Sequence, residues 1–201
     1  MRRRVCFSQA VLALVMLCSL TATAAATSVS VLHADDDWAA LRRPFHLPKL
    51  AAGAPCPASR VDRRIDWNRA HIFGRSGVGP GPVYAGLGFQ NGRLQATSDG
   101  QYSGPWFGEK VFWYVLPRYR GPILIRGRRL DGPQQLGFNG SNTPQSELQI
   151  EPQETVSWEG QQPGSRGVPS QVRVRAAGCY GVQVDGTNFS RAIIFKATLA
   201  R

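Results

Sequence analysis

The stretch SQVRVRAAGCYGVQVDGTNFSRAIIFKATL, residues 170–199, carries the clearest β-pattern of the chain. Apolar and polar residues alternate in three successive segments, which are separated by a two-residue break and by the turn sequence DGTNFS. Alternation with a period of two is the side-chain repeat of a strand with one buried face. The stretch therefore predicts a three-stranded meander. In its first strand we expect three inward residues, Val172, Val174 and Ala176, and two outward ones, Arg173 and Arg175.

The same alternation indicates how Cys179 is used. Tyr180, Val182 and Val184 form the apolar face of the second segment, so Cys179 lies at the start of that strand and points to the opposite face. A nucleophilic cysteine would need a nearby base, but the three histidines of the chain all belong to its N-terminal part. We therefore predict a structural disulfide at the rim of the sheet rather than in its core.

The first residues, MRRRVCFSQAVLALVMLCSLTATAAATS, have the layout of an export signal: three arginines, an apolar run and a tail of small residues with Ala-x-Ala sites. We assign residues 1–26 to a signal peptide, with cleavage after Ala24 or Ala26. The protein is then secreted or held in the cell envelope. An uncleaved anchor is the alternative, and contact with a membrane is expected only through such an anchor.

The cysteine count supplies a partner for Cys179. The chain has four cysteines, and the predicted signal contains two of them, Cys6 and Cys18. The exported chain then keeps Cys56 and Cys179, and one such pair in an oxidising compartment most simply forms one disulfide. This bridge would fasten the N-terminal part of the chain to the sheet.

The exported chain divides into an N-terminal arm, residues 27–81, and a β-domain, residues 82–201. In the arm, an acidic turn followed by Trp38 and Leu41 and then by Pro44 predicts one short helix. A proline-spaced extended run and a Gly/Pro loop follow, and the arm is too apolar to be a free linker. The loop GRSGVGPGPVYAGLG does not indicate a phosphate cradle, because its prolines have no N–H to donate.

The β-domain contains about eight or nine short strands. FQNGRL predicts a hairpin with a type I′ turn at Asn91-Gly92, and the apolar run Val111–Leu116 predicts a central strand with Trp113 in the core. This pattern favours an all-β fold, specifically an immunoglobulin-like antiparallel β-sandwich, with a small barrel as the alternative. Further strands are predicted at Val83–Phe89, Ile123–Ile125, Gln135–Phe138, Glu147–Ile150 and Thr155–Trp158.

Several segments of the chain resemble a group of uncharacterised exported bacterial proteins. They are WAALRRPFHLP before GAPCP, GVGPGPVY, KVFWYV with RGPILIRGRRLDG, and the terminal GCYGVQVDGTNFS. The resemblance covers most of the chain that follows the signal. It implies an exported β-rich domain with one cysteine near each end, and it carries no activity, substrate or catalytic residue.

The chain offers little catalytic chemistry. It has no Cys-x-x-Cys and no His-x-His spacing, so we predict neither a metal site nor a cofactor. Asp131 and Asp185 could act as paired carboxylates in a glycoside hydrolase. Each precedes a glycine in a predicted turn, however, where aspartate is favoured for structural reasons.

The basic residues are the best candidates for a function. Removal of the three arginines of the predicted signal leaves 24 − 3 = 21 basic residues against 13 acidic ones, a net charge of +8. This charge favours anionic partners, although a solvated basic surface is the plainer interpretation. If two hairpins share a sheet, their arginines could form a strip that binds phosphate or carboxylate groups. These arginines are Arg118, Arg120, Arg126, Arg128, Arg129, Arg173 and Arg175.

We therefore expect a non-catalytic exported module that binds an anionic envelope polymer or a protein partner. Nucleic acid is not the partner we expect. The alternative is a small secreted hydrolase whose acidic catalytic residues the sequence does not identify.

Overall fold

The computed structural model describes residues 34–69, 76–98, 104–140 and 142–200. The predicted signal peptide and two of the histidines, His33 and His71, lie outside this part of the chain. The described residues belong to one compact unit. Within the described residues, no helix has both the length and the hydrophobicity needed to cross a membrane.

The described residues form one short helix and ten strands. The helix is α1 (Ala34–Leu41). The strands are β1 (Val83–Ala85), β2 (Phe89–Gln90), β3 (Arg93–Thr97), β4 (Phe107–Val115), β5 (Ile123–Arg129), β6 (Gly137–Phe138), β7 (Glu147–Ile150), β8 (Arg166–Val174), β9 (Gly178–Gly186) and β10 (Phe189–Ala200).

The strands belong to a single sheet with the order β6-β8-β4-β3-β10-β9-β5-β7, while β1 pairs with β4 and β2 pairs with β3. The named strand pairs are antiparallel except for β3 and β10, which run parallel. A bridge between Arg128 and Gln135 joins β5 to the segment before β6, so the sheet is nearly closed. The all-β prediction is confirmed, and the immunoglobulin-like sandwich stays a prediction.

The three-stranded meander is wrong in one respect. β9 and β10 form the expected hairpin, but β8 pairs with β4 and β6 instead of β9. β8 begins at Arg166 and matches all nine residues of β4, and the Nε1–H of Trp113 donates to the Ser170 hydroxyl across this pair at 2.7 Å. Alternation within a strand specifies its faces but not its neighbour, because the pairing depends on distant residues.

Two other strand predictions need correction. The predicted strand Val83–Phe89 is interrupted after Ala85, and β1 and β2 pair with different neighbours. The segment Thr155–Trp158 is not a strand. There the Gly167 N–H donates to the Thr155 hydroxyl at 3.1 Å, so a side chain supplies a bond that a ladder would otherwise make.

The core lies on the inner face of the sheet. Tyr180, Val182 and Val184 are buried there with Trp113, as the alternation predicts. The hairpin turn between β2 and β3 also has the predicted geometry, since φ is 51° at Asn91 and 75° at Gly92.

The first part of the arm, from Trp38 to Cys56, packs on the outer face of the sheet, whereas Val78 near its end belongs to the inner core. Trp38 and Leu41 of α1 bury themselves against Leu124, and Leu47 packs against Leu130 beside Cys179. The predicted disulfide is present: Cys56 and Cys179, 123 positions apart, are joined with their Cα atoms at 5.4 Å. It lies on the outer face of β9, away from the inner core.

Candidate ligand-binding groove

Two of the arginines predicted to bind a ligand hold the arm instead. Arg126 donates to the Arg43 carbonyl oxygen and, at 2.9 Å, to Asp185 Oδ2. Arg128 donates to the Leu47 carbonyl oxygen at 3.0 Å. Their guanidinium carbons lie 4.9 and 5.5 Å from the centre of the Phe45 ring, within the range of cation–π attraction. The outer face of β5 is therefore occupied by the arm.

Arg173 is predicted on the outer, solvent-facing side of its strand, but its side chain is fully buried. It projects away from the inner core as the alternation requires, but residues 139–140 cover it. Their carbonyl oxygens accept hydrogen bonds from Arg173 at 3.2 and 2.9 Å. A buried guanidinium bonded to backbone carbonyls has a structural role, so Arg173 is not a surface residue.

The other predicted arginines divide into two groups. Arg129 bonds to Asp131 at 2.6 Å and to the Gln134 side chain at 2.9 Å. Arg118, Arg120 and Arg175 are exposed. Arg120 donates to the Gly164 carbonyl oxygen at 2.9 Å, and Arg175 lies 4.4 Å from the centre of the Trp106 ring. β5 and β8 are not neighbours in the sheet, so the set does not form one continuous row along adjacent strands.

The two aspartates considered as catalytic carboxylates have structural partners. Asp185 is fully buried and accepts hydrogen bonds from Arg126 and from the Gln183 amide, the latter at 3.0 Å. The Arg43 guanidinium lies 3.9 Å from its other oxygen. Asp131 accepts from Arg129 and, at 3.2 Å, from the Cys179 backbone N–H. Among the described residues there is also no group of three metal-binding side chains.

A groove of about 740 Å³ lies on a different part of the sheet, over the outer face of β2 and β3. β3 and β4 pair at a single position, Thr97 with Gly108, so the two strands diverge along the rest of their length. Gly88 forms part of the floor, where a Cβ would stand 2.3 Å from the Lys110 carbonyl oxygen; with φ at +89°, only glycine fits there without strain.

The groove is lined mainly by polar side chains. Glu109 lies on the β4 side and has an interaction within the protein, and Leu87 is the large apolar residue of the lining. The polar side chains of the other wall are Gln90, Asn91, Arg93, Gln95, Thr97 and Thr198.

The order of these side chains follows from the strand register. On β3 the exposed positions alternate with the buried Leu94 and Ala96. The parallel pairing with β10 sets Lys196 beside Arg93 and Thr198 beside Gln95. Side chains at paired positions of adjacent strands lie on the same face. The surface therefore has one row with two cations and, next to it, one row with an amide and a hydroxyl.

Two further arginines lie near the same hairpin. Arg60 and Arg63 line a smaller pocket of about 450 Å³, and Asn91 belongs to both this pocket and the groove. Arg60, Arg63, Arg93 and Lys196 are exposed, and none of them forms an ion pair with a described residue. We call these four residues the hairpin cations.

The segment that carries Arg60 and Arg63 is held in place by Asp62. Arg64 bonds to both carboxylate oxygens, at 2.9 and 2.7 Å, and the Tyr84 hydroxyl donates to Oδ2 at 2.9 Å. The hydrogen bonds from Arg64 hold the pKa of Asp62 well below its ordinary value, although burial opposes this effect. Burial and the bond to Asp62 raise the pKa of Tyr84 to about 12. Both groups thus keep their bonded form at neutral pH.

Sequence reasoning missed the hairpin cations for a simple reason. Three of them, Arg60, Arg93 and Lys196, have uncharged neighbours in the sequence, and Arg63 belongs to the short mixed-charge run DRR. By contrast, Arg126, Arg128 and Arg129 form a visible cluster. The available signals were the predicted turn at Asn91-Gly92 and the alternation around Arg93 and Lys196. These signals place both residues on exposed faces, but they do not predict that β3 pairs with β10.

No protein-family model matches the chain, and no curated protein matches it at a significant level. The assignment of a function therefore rests on the geometry of the groove and of the hairpin cations.

Proposed function

We propose that the protein is an exported, non-catalytic β-module, of the sandwich kind predicted from its sequence, which binds an anionic polymer of the cell envelope. The binding surface is the groove over β2 and β3 together with the hairpin cations. This surface replaces the basic strip that was predicted from the sequence. Three arginines of that strip, Arg118, Arg120 and Arg175, are exposed and could still contribute to binding.

One observation carries this proposal. Arg93 and Lys196 occupy paired positions on adjacent strands, about 4.8 Å apart along the hydrogen-bonding direction. Like charges at such positions repel each other, and no carboxylate among the described residues forms an ion pair with either of them. An anionic ligand between them would be attracted to both side chains and would offset their mutual repulsion.

The surrounding arginines support the same interpretation. Several of the other described arginines, such as Arg126, Arg128 and Arg129, are engaged with carboxylates or carbonyl oxygens of the protein. The hairpin cations differ from them, because their charges are directed to solvent around one short hairpin. Several cations around one concave surface raise the local concentration of anionic ligands.

The export part of the proposal has separate support. The Cys56–Cys179 disulfide is of the kind that persists in oxidising compartments. The predicted signal at residues 1–26 and the resemblance to exported bacterial proteins favour the same location. A bacterial cell envelope is rich in anionic polymers, which are the partners that the surface would suit.

The test is retention of the oxidised protein on immobilised heparin, used as a model polyanion. The variant Arg93→Ser/Lys196→Ser should elute at a clearly lower salt concentration than the original protein, because two of the charges that contact the polymer are lost. The matched control is Lys49→Ser/Arg191→Ser, which removes the same charge from exposed positions outside the groove. An equal shift in both variants would contradict the proposal, since retention would then depend on net charge alone.

A further inference from the structure

We infer that the ligand of the groove is a carbohydrate chain whose units carry anionic groups, such as a polyuronate. This inference rests on the proposed function and narrows it, because it assigns a ligand chemistry to the neutral part of the groove as well as to its cations.

The neutral part of the groove presents amide groups that have no hydrogen-bond partner among the described residues. The side chains of Gln90, Asn91 and Gln95 are exposed, and none forms a hydrogen bond to a described residue. The buried Gln183, by contrast, is bonded to the backbone and to Asp185. An amide offers both donors and an acceptor, which is the combination that a sugar hydroxyl can satisfy in either role.

The spacing of the rows fits such a ligand. Two residues along β3 separate Arg93 from Gln95, which corresponds to about 7 Å. The row of Arg93 and Lys196 would bind a carboxylate, while the row of Gln95 and Thr198 would bind hydroxyl groups one step further along the strands. The units of an acidic polysaccharide present these two kinds of group side by side.

The lining argues against two other classes of polyanion. Single-stranded nucleic acid is bound on aromatic side chains that stack with the bases, and the described lining of the groove contains no aromatic residue. Insertion into a lipid bilayer would require an apolar patch. The large exposed apolar side chains of the described residues are Phe45, Leu87 and Val156, and they belong to separate elements. A sugar polymer needs neither feature.

The experiment compares two carboxylate polymers that differ in their hydroxyl groups. Polygalacturonate carries carboxylates on sugar rings, and polyglutamate carries carboxylates without any sugar. Binding of each polymer to the full oxidised protein is measured by titration calorimetry. The variant Gln90→Leu/Gln95→Leu keeps the net charge, and Gln145→Leu/Gln153→Leu is its control, since both control residues are exposed and lie outside the groove.

We expect Gln90→Leu/Gln95→Leu to weaken polygalacturonate binding about tenfold or more and to leave polyglutamate binding unchanged, because only the sugar loses hydrogen bonds. Arg93→Ser/Lys196→Ser should weaken the binding of both polymers. If the glutamine variant changes neither polymer, or changes both equally, the carbohydrate inference is wrong while polyanion binding stands. If neither polymer binds the original protein, both the inference and the proposed function are wrong.

Discussion

Asp185 illustrates how a residue that suggests catalysis can serve the fold. Its carboxylate is fully buried and lies between Arg126, at 2.9 Å, and Arg43, at 3.9 Å, while Gln183 donates to both of its oxygens. A buried charge is tolerated only where it is paired and hydrogen-bonded. Asp185 therefore helps to hold the arm on the sheet through Arg43 and Arg126. Both of its oxygens have partners within the protein.

Replacement of Asp185 by Ala should lower the free energy of unfolding by about 3 kcal/mol, because Arg126 would be left in a largely buried position without its counter-charge. Urea denaturation monitored by tryptophan fluorescence measures this change. The exposed Glu159→Ala is the control and should have little effect. A denaturation midpoint for Asp185→Ala equal to that of the original protein would contradict the assigned role.

Asp62 makes the stability of the fold depend on pH. Its pKa in the folded protein lies below the ordinary value of 3.8, chiefly through the hydrogen bonds from Arg64. The ionised carboxylate therefore stabilises the fold above about pH 4, and this contribution is lost as the pH falls further. The affected segment carries Arg60 and Arg63.

Thermal unfolding between pH 5 and pH 2 tests this contribution, because it is lost as the pH falls from the ordinary pKa of 3.8 towards the lower pKa of the folded state. The original protein should lose more thermal stability over this range than the variant Asp62→Asn, which is less stable at neutral pH and has no charge to lose at this position. Superimposable pH profiles would show that Asp62 does not contribute in this way.

At the scale of elements, the arm is held at intervals along its length. α1 packs on β5, Arg42 forms a bidentate bond with Glu147 of β7, and the disulfide joins the arm to β9. Beyond the disulfide, the Ser59 N–H donates to the Ile194 carbonyl oxygen at 2.8 Å. Because this last contact positions the segment next to the hairpin, the arm contributes Arg60 and Arg63 to the hairpin cations as well as stability to the fold.

Removal of the disulfide should destabilise the protein without unfolding it. The cysteines are 123 positions apart, and closure of a loop of this length contributes about 4 to 5 kcal/mol when its effect is assigned to the entropy of the unfolded chain. The variant Cys56→Ser/Cys179→Ser should therefore unfold at a clearly lower urea concentration and keep its β-type circular dichroism spectrum. An unchanged midpoint would contradict this estimate, and reduction of the original protein provides an independent comparison.

The elements that could be predicted from the sequence are those with local signals. The helix around Trp38, the turn at Asn91-Gly92 and the strand Glu147–Ile150 each follow from a short pattern, and each is present. The partner of β8 could not be predicted, because the choice of β4 depends on residues about 60 positions earlier in the chain. Thr155–Trp158 has the composition of a strand, but it forms no ladder, and the Gly167 N–H donates to the Thr155 hydroxyl there.

At the scale of the whole molecule, the disulfide was accessible to prediction and the groove was not. Once the signal is removed, two cysteines can pair in only one way. The hairpin cations come from the arm, from β3 and from β10, and only the parallel pairing of β3 with β10 brings Arg93 next to Lys196. Of the seven arginines predicted from the sequence to bind a ligand, Arg126 and Arg128 hold the arm and Arg173 is buried.

The central claim is that Arg93 and Lys196 contact an anionic polymer, and its most direct test is the salt dependence of heparin binding. The affinity is measured by titration at several salt concentrations, and its logarithm is plotted against the logarithm of the salt concentration. The steepness of this plot should fall by about one unit for each ionic contact removed, and hence by about two units in Arg93→Ser/Lys196→Ser. A plot for this variant as steep as that of the original protein would contradict the claim.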